Sequence, residues 1–152
     1  MTQDTDLVLT RHLAADPARV WRCWTEPALI VRWFTPDPVE TVLAEIDTRP
    51  GGGFRTVMRL PDGQEMDSTG CILLAEPGRR LVFTDCLGPG FLPTRAPFFT
   101  ADITLTPEGA GTLYIARALH ARPEDADRHA GMGFHEGRGM AAEQLERLAL
   151  TL

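Results

Sequence analysis

The feature that most constrains the fold is an alternation of apolar and polar residues with period two, running from about residue 39 to residue 119. Short breakers that contain Gly and Pro, such as Pro61-Asp62-Gly63 and Glu76-Pro77-Gly78, divide it into segments. The predicted strands are 40–47, 53–60, 65–75, 79–87, 99–106 and 111–119. Connections this short join antiparallel neighbours, so the pattern predicts a β-meander and excludes a β-α-β array.

A further strand and two short helices are predicted before the meander. Residues 6–13 alternate in the same way and indicate a first strand. Asp16 followed by Pro17 is a helix-start signal, because Asp caps the free N–H groups and Pro suits the first helical position. A second short helix is expected at 27–34.

The residues after Pro123 predict one long helix. Its sheet-facing stripe consists of Phe134, Arg138, Ala141, Leu145, Leu148 and Leu152. The four glycines within 131–139 weaken helix propensity, which indicates either close backbone approach to a sheet or a bend that admits a ligand. The whole pattern predicts one α+β domain over residues 1–152, with a curved antiparallel sheet wrapped around the C-terminal helix.

Composition bounds the function classes. A chain of 152 residues can bury one cohesive core, and its net charge of −6 opposes binding to nucleic acid. The longest apolar stretches, such as 28–31 and 72–75, are too short for a membrane span. The three cysteines form no CxxC pair, which fits a reducing compartment. We therefore expect a soluble cytoplasmic protein.

Several short islands occur in a fixed order: Val20-Trp21, Trp24-Thr25-Glu26-Pro27, Trp33-Phe34, Arg49-Pro50-Gly51-Gly52 with Phe54, Pro61-Asp62-Gly63, Gly70, Leu81-Val82-Phe83-Thr84, Gly111-Thr112 and Gly133-Phe134-His135-Glu136-Gly137, ahead of Leu145 and Leu148. In this order they resemble the family named after the activator of the ninety-kilodalton heat-shock protein's ATPase, within the START-like or SRPBCC superfamily of helix-grip domains. The resemblance covers nearly the whole chain. It implies a seven-stranded antiparallel sheet that grips the C-terminal helix, with a cavity that takes apolar small molecules in many relatives.

The sequence departs from this family at Arg138, where relatives usually carry a bulky aromatic residue. The position lies on the sheet-facing stripe of the predicted helix. A guanidinium keeps its proton and is costly to bury without a partner. Two interpretations stay open: a structural arginine that meets a carboxylate or reaches water, and an arginine that contacts an anionic group of a ligand.

We predict a ligand-sized hydrophobic cavity between the sheet and the last helix. Its predicted ligand-binding residues are Trp33, Phe54, Met58, Phe83, Phe91, Phe99, Phe134, Arg138 and Ala141. An aromatic stripe is often simply core, but a strongly curved sheet around one helix tends to leave space. The connection 86–98 carries several bulky apolar residues and is a candidate lid over the mouth of the cavity.

The sequence carries no strong catalytic or metal-binding motif, and no cofactor is expected. His129 and His135 are too far apart to share one face of a helix, which argues against a metal site. Ser68 does not stand in a GxSxG nucleophile elbow, because Met66 occupies the position of the first glycine. Acid–base chemistry stays open through Glu136, His135 or Asp85, provided that they line the cavity.

These observations favour a small binding protein for an apolar or amphipathic molecule, lipid-like or polyketide-like. The wider superfamily implies an alternative, an enzyme similar to polyketide cyclases and aromatases, so catalysis is left undecided. The family's name implies another, a chaperone-interacting protein. A homodimer is a further option on generic grounds.

Overall fold

The computed structural model describes residues 5–152. Its elements are β1 (Asp6–Leu13), α1 (Pro17–Thr25), α2 (Pro27–Ile30), β2 (Glu40–Ile46), β3 (Gly53–Arg59), β4 (Glu65–Glu76), β5 (Arg80–Thr84), β6 (Leu87–Gly88), β7 (Leu92–Pro93), β8 (Thr100–Glu108), β9 (Gly111–Leu119), α3 (Pro123–Gly131) and α4 (Phe134–Ala149). A single 3₁₀ turn, Pro89–Phe91, joins β6 to β7. The predicted α+β architecture is confirmed.

The seven long strands form one antiparallel sheet in the order β1-β9-β8-β5-β4-β3-β2. The meander is therefore present as predicted, and β1 closes the sheet beside the last strand. In that pair Asp6 lies opposite Leu119 and Leu13 lies opposite Thr112. The sheet curls into a half-barrel, and α4 shares a single hydrophobic core with its concave face.

Side chains on β8 and β9 alternate between the two faces of the sheet, which explains the period-two signal. Ala101, Ile103 and Leu105 of β8 and Tyr114, Ala116 and Ala118 of β9 are buried against the helices. On the outer face, Arg117 and Arg80 form ion pairs with carboxylates. Arg117 contacts Asp6 at 2.9 Å, and Arg80 contacts Asp102 at 2.8 Å. On these strands the outer face therefore carries the charged pairs, and the inner face is apolar.

The curvature of the sheet has local causes. The pairing register shifts between Thr41 and Leu43 on β2, and again between Ile72 and Leu74 on β4. At Gly70 a Cβ atom would lie 2.4 Å from the carbonyl oxygen of Thr84, so only glycine permits this approach. These bends leave a hollow between the sheet and α4.

The two helices after β1 form as predicted, although the second is shorter. Asp16 caps α1 by accepting a hydrogen bond from the Arg19 N–H at 3.0 Å. The second helix ends at Ile30 instead of residue 34. The chain turns inward there, and the buried Trp33 indole N–H donates to the Cys23 carbonyl at 2.9 Å.

The predicted single C-terminal helix is divided into two helices. α3 ends at Gly131, and α4 begins after Gly133, whose φ of 90° places it in the left-handed region that favours glycine. The predicted stripe lies on α4 except for Leu152, which follows the end of the helix, and Phe134, Ala141 and Leu145 are buried. Within residues 5–152, no helix is both long and apolar enough to cross a bilayer.

The connection 86–98 is a small hairpin and does not cover the hollow. The strand predicted over 79–87 ends at Thr84, and β6 and β7 then fold back over the turn at Gly51. The Gly90 N–H donates to the Gly51 carbonyl at 2.8 Å. Because Gly51 has no side chain, the ring of Phe91 packs on it and stays 50% exposed. The lid expected in this loop is not found.

Candidate ligand-binding cavity

A cavity of about 370 Å³ lies between the concave face of the sheet and α4. Its sheet wall includes Ala101, Ile103, Tyr114, Ala116 and Ala118, and its helix wall includes Phe134, Gly137, Arg138 and Ala141. Most of these side chains are small or apolar. Since they come from β8, β9 and α4, the cavity exists only in the folded chain.

Aromatic rings build another wall of the cavity. Trp24 packs edge-on against Trp33, with ring centroids 4.9 Å apart, and against Phe34 at 5.8 Å. Phe83 closes the cluster at 5.8 Å from Trp24. Such pairs are worth about 0.5–1.5 kcal/mol each beyond their buried area, so this wall is held firmly in shape.

The entrance lies beside the junction of α3 and α4. His129, Met132 and Gly133 line the cavity there, and Met58 and Met66 line it from β3 and β4. Met132 is 69% exposed and Met66 is 44% exposed, which places both at the rim. Methionine side chains are flexible and polarisable, so the rim can adapt to an entering molecule. The junction of α3 and α4 therefore lines the edge of the cavity, and none of residues 86–98 lines it.

The structure brings seven of the nine predicted site residues into this cavity wall: Trp33, Met58, Phe83, Phe99, Phe134, Arg138 and Ala141. Phe54 is buried instead, packed edge-on against Phe34 at 5.8 Å and Phe83 at 4.9 Å. Those two rings stand between Phe54 and the cavity. Phe91 lies on the surface over Gly51. Ligand binding by the seven residues stays a prediction.

Arg138 is the charged group that matters most in the cavity. Its Nη2 donates to the Phe34 carbonyl at 2.9 Å, and its guanidinium lies 5.4 Å from the centre of the Phe34 ring. Arg138 is half-buried, and this burial lowers its pKa because the charged form is less well solvated there than in water. Among the ion pairs of residues 5–152, none involves Arg138. Within those residues Arg138 thus has no carboxylate partner, and its side chain stays partly exposed.

Tyr114 and Trp24 add polar groups beside Arg138. Burial raises the pKa of Tyr114 to about 12, while the nearby Trp24 indole and the positive charge of Arg138 act in the opposite direction. The Trp24 indole N–H is buried, and within the described chain no acceptor meets it in hydrogen-bonding geometry. Such an orphaned donor costs about 1–3 kcal/mol. The cavity thus contains donors that the fold itself does not use.

Two histidines meet at the edge of the cavity. The His120 Nε2 and His129 Nδ1 atoms are 2.8 Å apart, and His120 Nδ1 is 2.7 Å from the Thr5 carbonyl oxygen. Because a carbonyl only accepts, a neutral His120 carries its proton on Nδ1 and accepts from the His129 Nδ1–H. Burial, followed by the neighbouring His120, lowers the pKa of His129 to about 4. His129 is therefore neutral at pH 7.

The acid–base candidates from the sequence lie outside the cavity. His135 and Glu136 are exposed on α4. The Asp85 carboxylate accepts from the backbone N–H groups of Phe98 at 2.7 Å and Phe99 at 3.0 Å, so it holds the loop in place.

Burial raises the pKa of the Cys23 thiol to about 11, which keeps it protonated.

A second hollow, of about 290 Å³, lies on the surface beside α4. Its lining is largely polar: Arg32, Asp37, Gln144, Arg147, Leu148 and Thr151. The buried amide of Gln144 is fully used there, donating to the carbonyls of Trp33 at 3.0 Å and Thr35 at 2.8 Å and accepting from the Asp37 N–H at 3.0 Å. This hollow covers a structural contact that holds α4 to the aromatic wall.

Sequence reasoning missed several residues of the cavity. Tyr114 could have been found, because it shares an alternation phase with Ala116 and Ala118 on β9. Nothing in the sequence shows that the N–H of Trp24 has no acceptor. Met132 reaches the rim only because the helix breaks at Gly133.

A curled seven-stranded antiparallel sheet that grips a C-terminal helix around a cavity defines a helix-grip domain of the START-like kind. A family model described as Activator of Hsp90 ATPase homolog 1-like protein matches residues 14–149. The chain belongs to this family. Among curated proteins, none matches it.

Solved structures show the same architecture. A protein from Nitrosomonas europaea is 40% identical with a TM-score of 0.96, over 99% of this chain and 97% of that chain. A protein from Rhodobacter sphaeroides is 25% identical with a TM-score of 0.85, over 100% of this chain and 97% of that chain. An AHSA1-like protein from Aeromonas hydrophila, 21% identical with a TM-score of 0.70 over 96% and 92% of the two chains, is similar in fold alone.

Proposed function

We propose that the chain is a small binding protein that holds an apolar or amphipathic small molecule between the sheet and α4. The observation that carries this proposal is the cavity of about 370 Å³ with its largely apolar wall. Ligand pockets in proteins typically measure roughly 300–1,000 Å³ and combine an apolar wall with a few polar groups. The size of this cavity points to an occupant at the small end of that range.

The construction of the cavity supports a binding role. Its aromatic wall is fixed by ring–ring contacts, so little shape has to be organised when a ligand enters. Its rim carries the flexible side chains of Met66 and Met132. A firm interior behind an adaptable entrance suits reversible uptake of a small molecule.

The same observations rank the alternatives below binding. His135, Glu136 and Asp85 do not line the cavity, so the acid–base residues considered for a cyclase-like enzyme are not positioned for it. The family's description points to activation of a chaperone ATPase. The cavity favours small-molecule binding over that role, since a protein partner needs no apolar space inside the fold.

A neutral solvatochromic dye such as Nile red tests the proposal. We expect saturable binding by the wild-type protein and displacement by octan-1-ol. In an Ala116→Phe variant the added ring occupies the cavity, because Ala116 faces it from the middle of β9. This variant is expected to lose dye binding.

The matched control is Ile115→Phe, which places the same ring one residue away on the opposite face of β9. It is expected to bind the dye as the wild type does. Circular dichroism establishes that both variants are folded. Equal dye binding by Ala116→Phe and the wild type, or no saturable binding by the wild type, would contradict the proposal.

A further inference from the structure

Among the polar side chains that line the largely apolar cavity, three lie near one another: Arg138 from α4, Tyr114 from β9 and Trp24 from α1. Each can donate a hydrogen bond, and the carboxylates of the described residues form no ion pair with Arg138. We infer that these three groups bind the carboxylate of a monocarboxylic acid whose apolar body fills the rest of the cavity. The inference rests on the proposed function and adds the chemical class of the ligand.

Arg138 is the first observation behind this inference. Within residues 5–152, its guanidinium makes one hydrogen bond to a protein acceptor, the Phe34 carbonyl. The side chain is half-buried and lines a cavity whose wall is mainly apolar. Because a guanidinium remains charged and loses part of its solvation in such a place, an anion inside the cavity stabilises it. A ligand carboxylate supplies that anion with matching bidentate geometry.

The Trp24 indole is an uncharged group that supports the inference independently of Arg138. The Trp24 side chain lines the cavity, is 4% exposed, and carries an indole N–H that no acceptor meets in hydrogen-bonding geometry within residues 5–152. Buried donors are normally paired, so an unpaired one in a ligand cavity marks a position where a ligand atom accepts. Tyr114, itself 3% exposed, lies near both Trp24 and Arg138. A ligand acceptor beside Trp24 therefore lies close to the other two groups as well.

The balance of charge in the cavity selects a monoanion. No Asp or Glu is among its lining residues. Its other arginine, Arg117, is paired with Asp6 at 2.9 Å on the outer face of the sheet. His129 is neutral at pH 7 because burial holds its pKa near 4. One uncompensated positive charge remains, which fits a carboxylate better than a dianionic phosphate.

The rest of the cavity defines the other end of the ligand. Met58, Phe83, Phe99 and Ile103 contribute apolar surface beyond the three donors. Thr35 also lines the cavity, but its hydroxyl is already bonded to the Val39 carbonyl and to the Thr41 hydroxyl. Thr56 and Ser68 line the cavity on β3 and β4, the strands that also carry Met58 and Met66. The part of the ligand beside Phe83, Phe99 and Ile103 meets apolar surface, and a saturated chain or an aromatic ring is suited to it.

Isothermal titration calorimetry with two matched pairs tests this inference: octanoate against octan-1-ol, and 1-naphthoate against 1-naphthalenemethanol. The members of each pair share a body and differ in the anionic group. At pH 7.5 we expect the wild type to bind each acid at least about tenfold more tightly than its alcohol, because hydrogen bonds to charged groups are worth that factor or more. In Arg138→Met, which keeps the side-chain length and removes the charge, the preference is expected to disappear while the alcohols still bind.

Tyr114→Phe is the second variant, and it removes only the hydroxyl. We expect this variant to bind the acids a few-fold more weakly than the wild type does and to bind the alcohols with unchanged affinity. Octanoate labelled with ¹³C at the carboxyl carbon gives a readout that needs no variant. Its chemical shift in the complex with wild-type protein should stay that of the ionised form at a lower pH than in free octanoate, because the three donors stabilise the anion.

The outcomes separate this inference from the proposed function. Acid and alcohol of equal affinity in the wild type, or a bound carboxyl that protonates at higher pH than the free acid, overturn the inference and leave cavity binding intact. Nile red binding together with no binding of either acid also overturns it. If the wild-type protein binds neither the dye nor any of the four compounds, both proposals are overturned.

Discussion

Replacing Gln144 by Leu tests how the cavity is held in shape. Gln144 is buried on α4, and its amide makes three hydrogen bonds to the backbone of Trp33, Thr35 and Asp37. That backbone carries Phe34 and the start of the aromatic wall. Leu has a similar volume but no polar atom, so the substitution leaves two carbonyls and one N–H without their partners.

The magnitude follows from these three bonds. Each intramolecular hydrogen bond contributes about 1 kcal/mol net, and unpaired buried groups add to the loss, so Gln144→Leu should cost about 3 kcal/mol of unfolding free energy. For a chain of this length that corresponds to a fall in Tm of roughly 6–12 °C. Urea unfolding followed by circular dichroism and by tryptophan fluorescence measures both the free energy and the state of the aromatic wall.

The control is Glu143→Gln, on the neighbouring position of α4, where the side chain is exposed. An exposed substitution of this kind should change the unfolding free energy by no more than about 0.5 kcal/mol. A loss below about 1 kcal/mol in Gln144→Leu would refute the reasoning, because the three bonds would then contribute little to the attachment of α4.

Three further predictions concern other parts of the site. Trp33→Phe removes the buried indole donor to the Cys23 carbonyl and part of a core ring, and urea unfolding should show an unfolding free energy lower by about 2–4 kcal/mol. A decrease under about 1 kcal/mol would argue against a stabilising role for that hydrogen bond. Gly137→Ala should raise the unfolding free energy by about 0.5–1 kcal/mol, because alanine favours a helix interior and the added Cβ meets only Pro36, at 3.8 Å. Destabilisation would show that α4 cannot accept the methyl group. Burial lowers the pKa of His129 to about 4, so as the pH falls the unfolded chain takes up a proton at this residue before the folded chain does. The stability that the neutral His129 contributes is therefore fully present above about pH 6.5 and declines as the pH falls toward 4. His129 is partly exposed, so we expect a loss of about 1–2 kcal/mol between pH 7 and pH 4.5 that is reduced in His129→Gln; an unchanged loss in the variant would assign the effect to other groups.

Much of the fold could be predicted from the sequence, because its signals are local. The alternation along β8 and β9 is set by which face each side chain takes, and both strands were placed within about two residues. The cap at Asp16 is likewise decided by adjacent residues. Part of the cavity wall could also be predicted, because it consists of residues from the sheet-facing stripe of α4 and of Met58 and Phe83 from predicted strands.

What could not be predicted depends on contacts distant in sequence. The glycines within 131–139 left open a close backbone approach or a bend, and the position of the break, at Gly133, depends on how α3 and α4 pack beside the cavity. The sequence indicates a lid role for Phe91, but in the structure its ring packs on the turn at Gly51, which has no side chain. Whether Arg138 has a carboxylate partner depends on residues from several strands, so the sequence left both interpretations open.

The most direct test of the central claim, that the cavity holds a small molecule, is native mass spectrometry of the protein as purified and again after organic extraction. We expect the wild-type protein to carry a mass excess that extraction removes, and the same preparation of Ala116→Phe should lack it. The mass of the extracted compound then establishes whether it is a monocarboxylic acid. A wild-type protein that carries no excess mass and takes up neither octanoate nor octan-1-ol when they are added would contradict the claim.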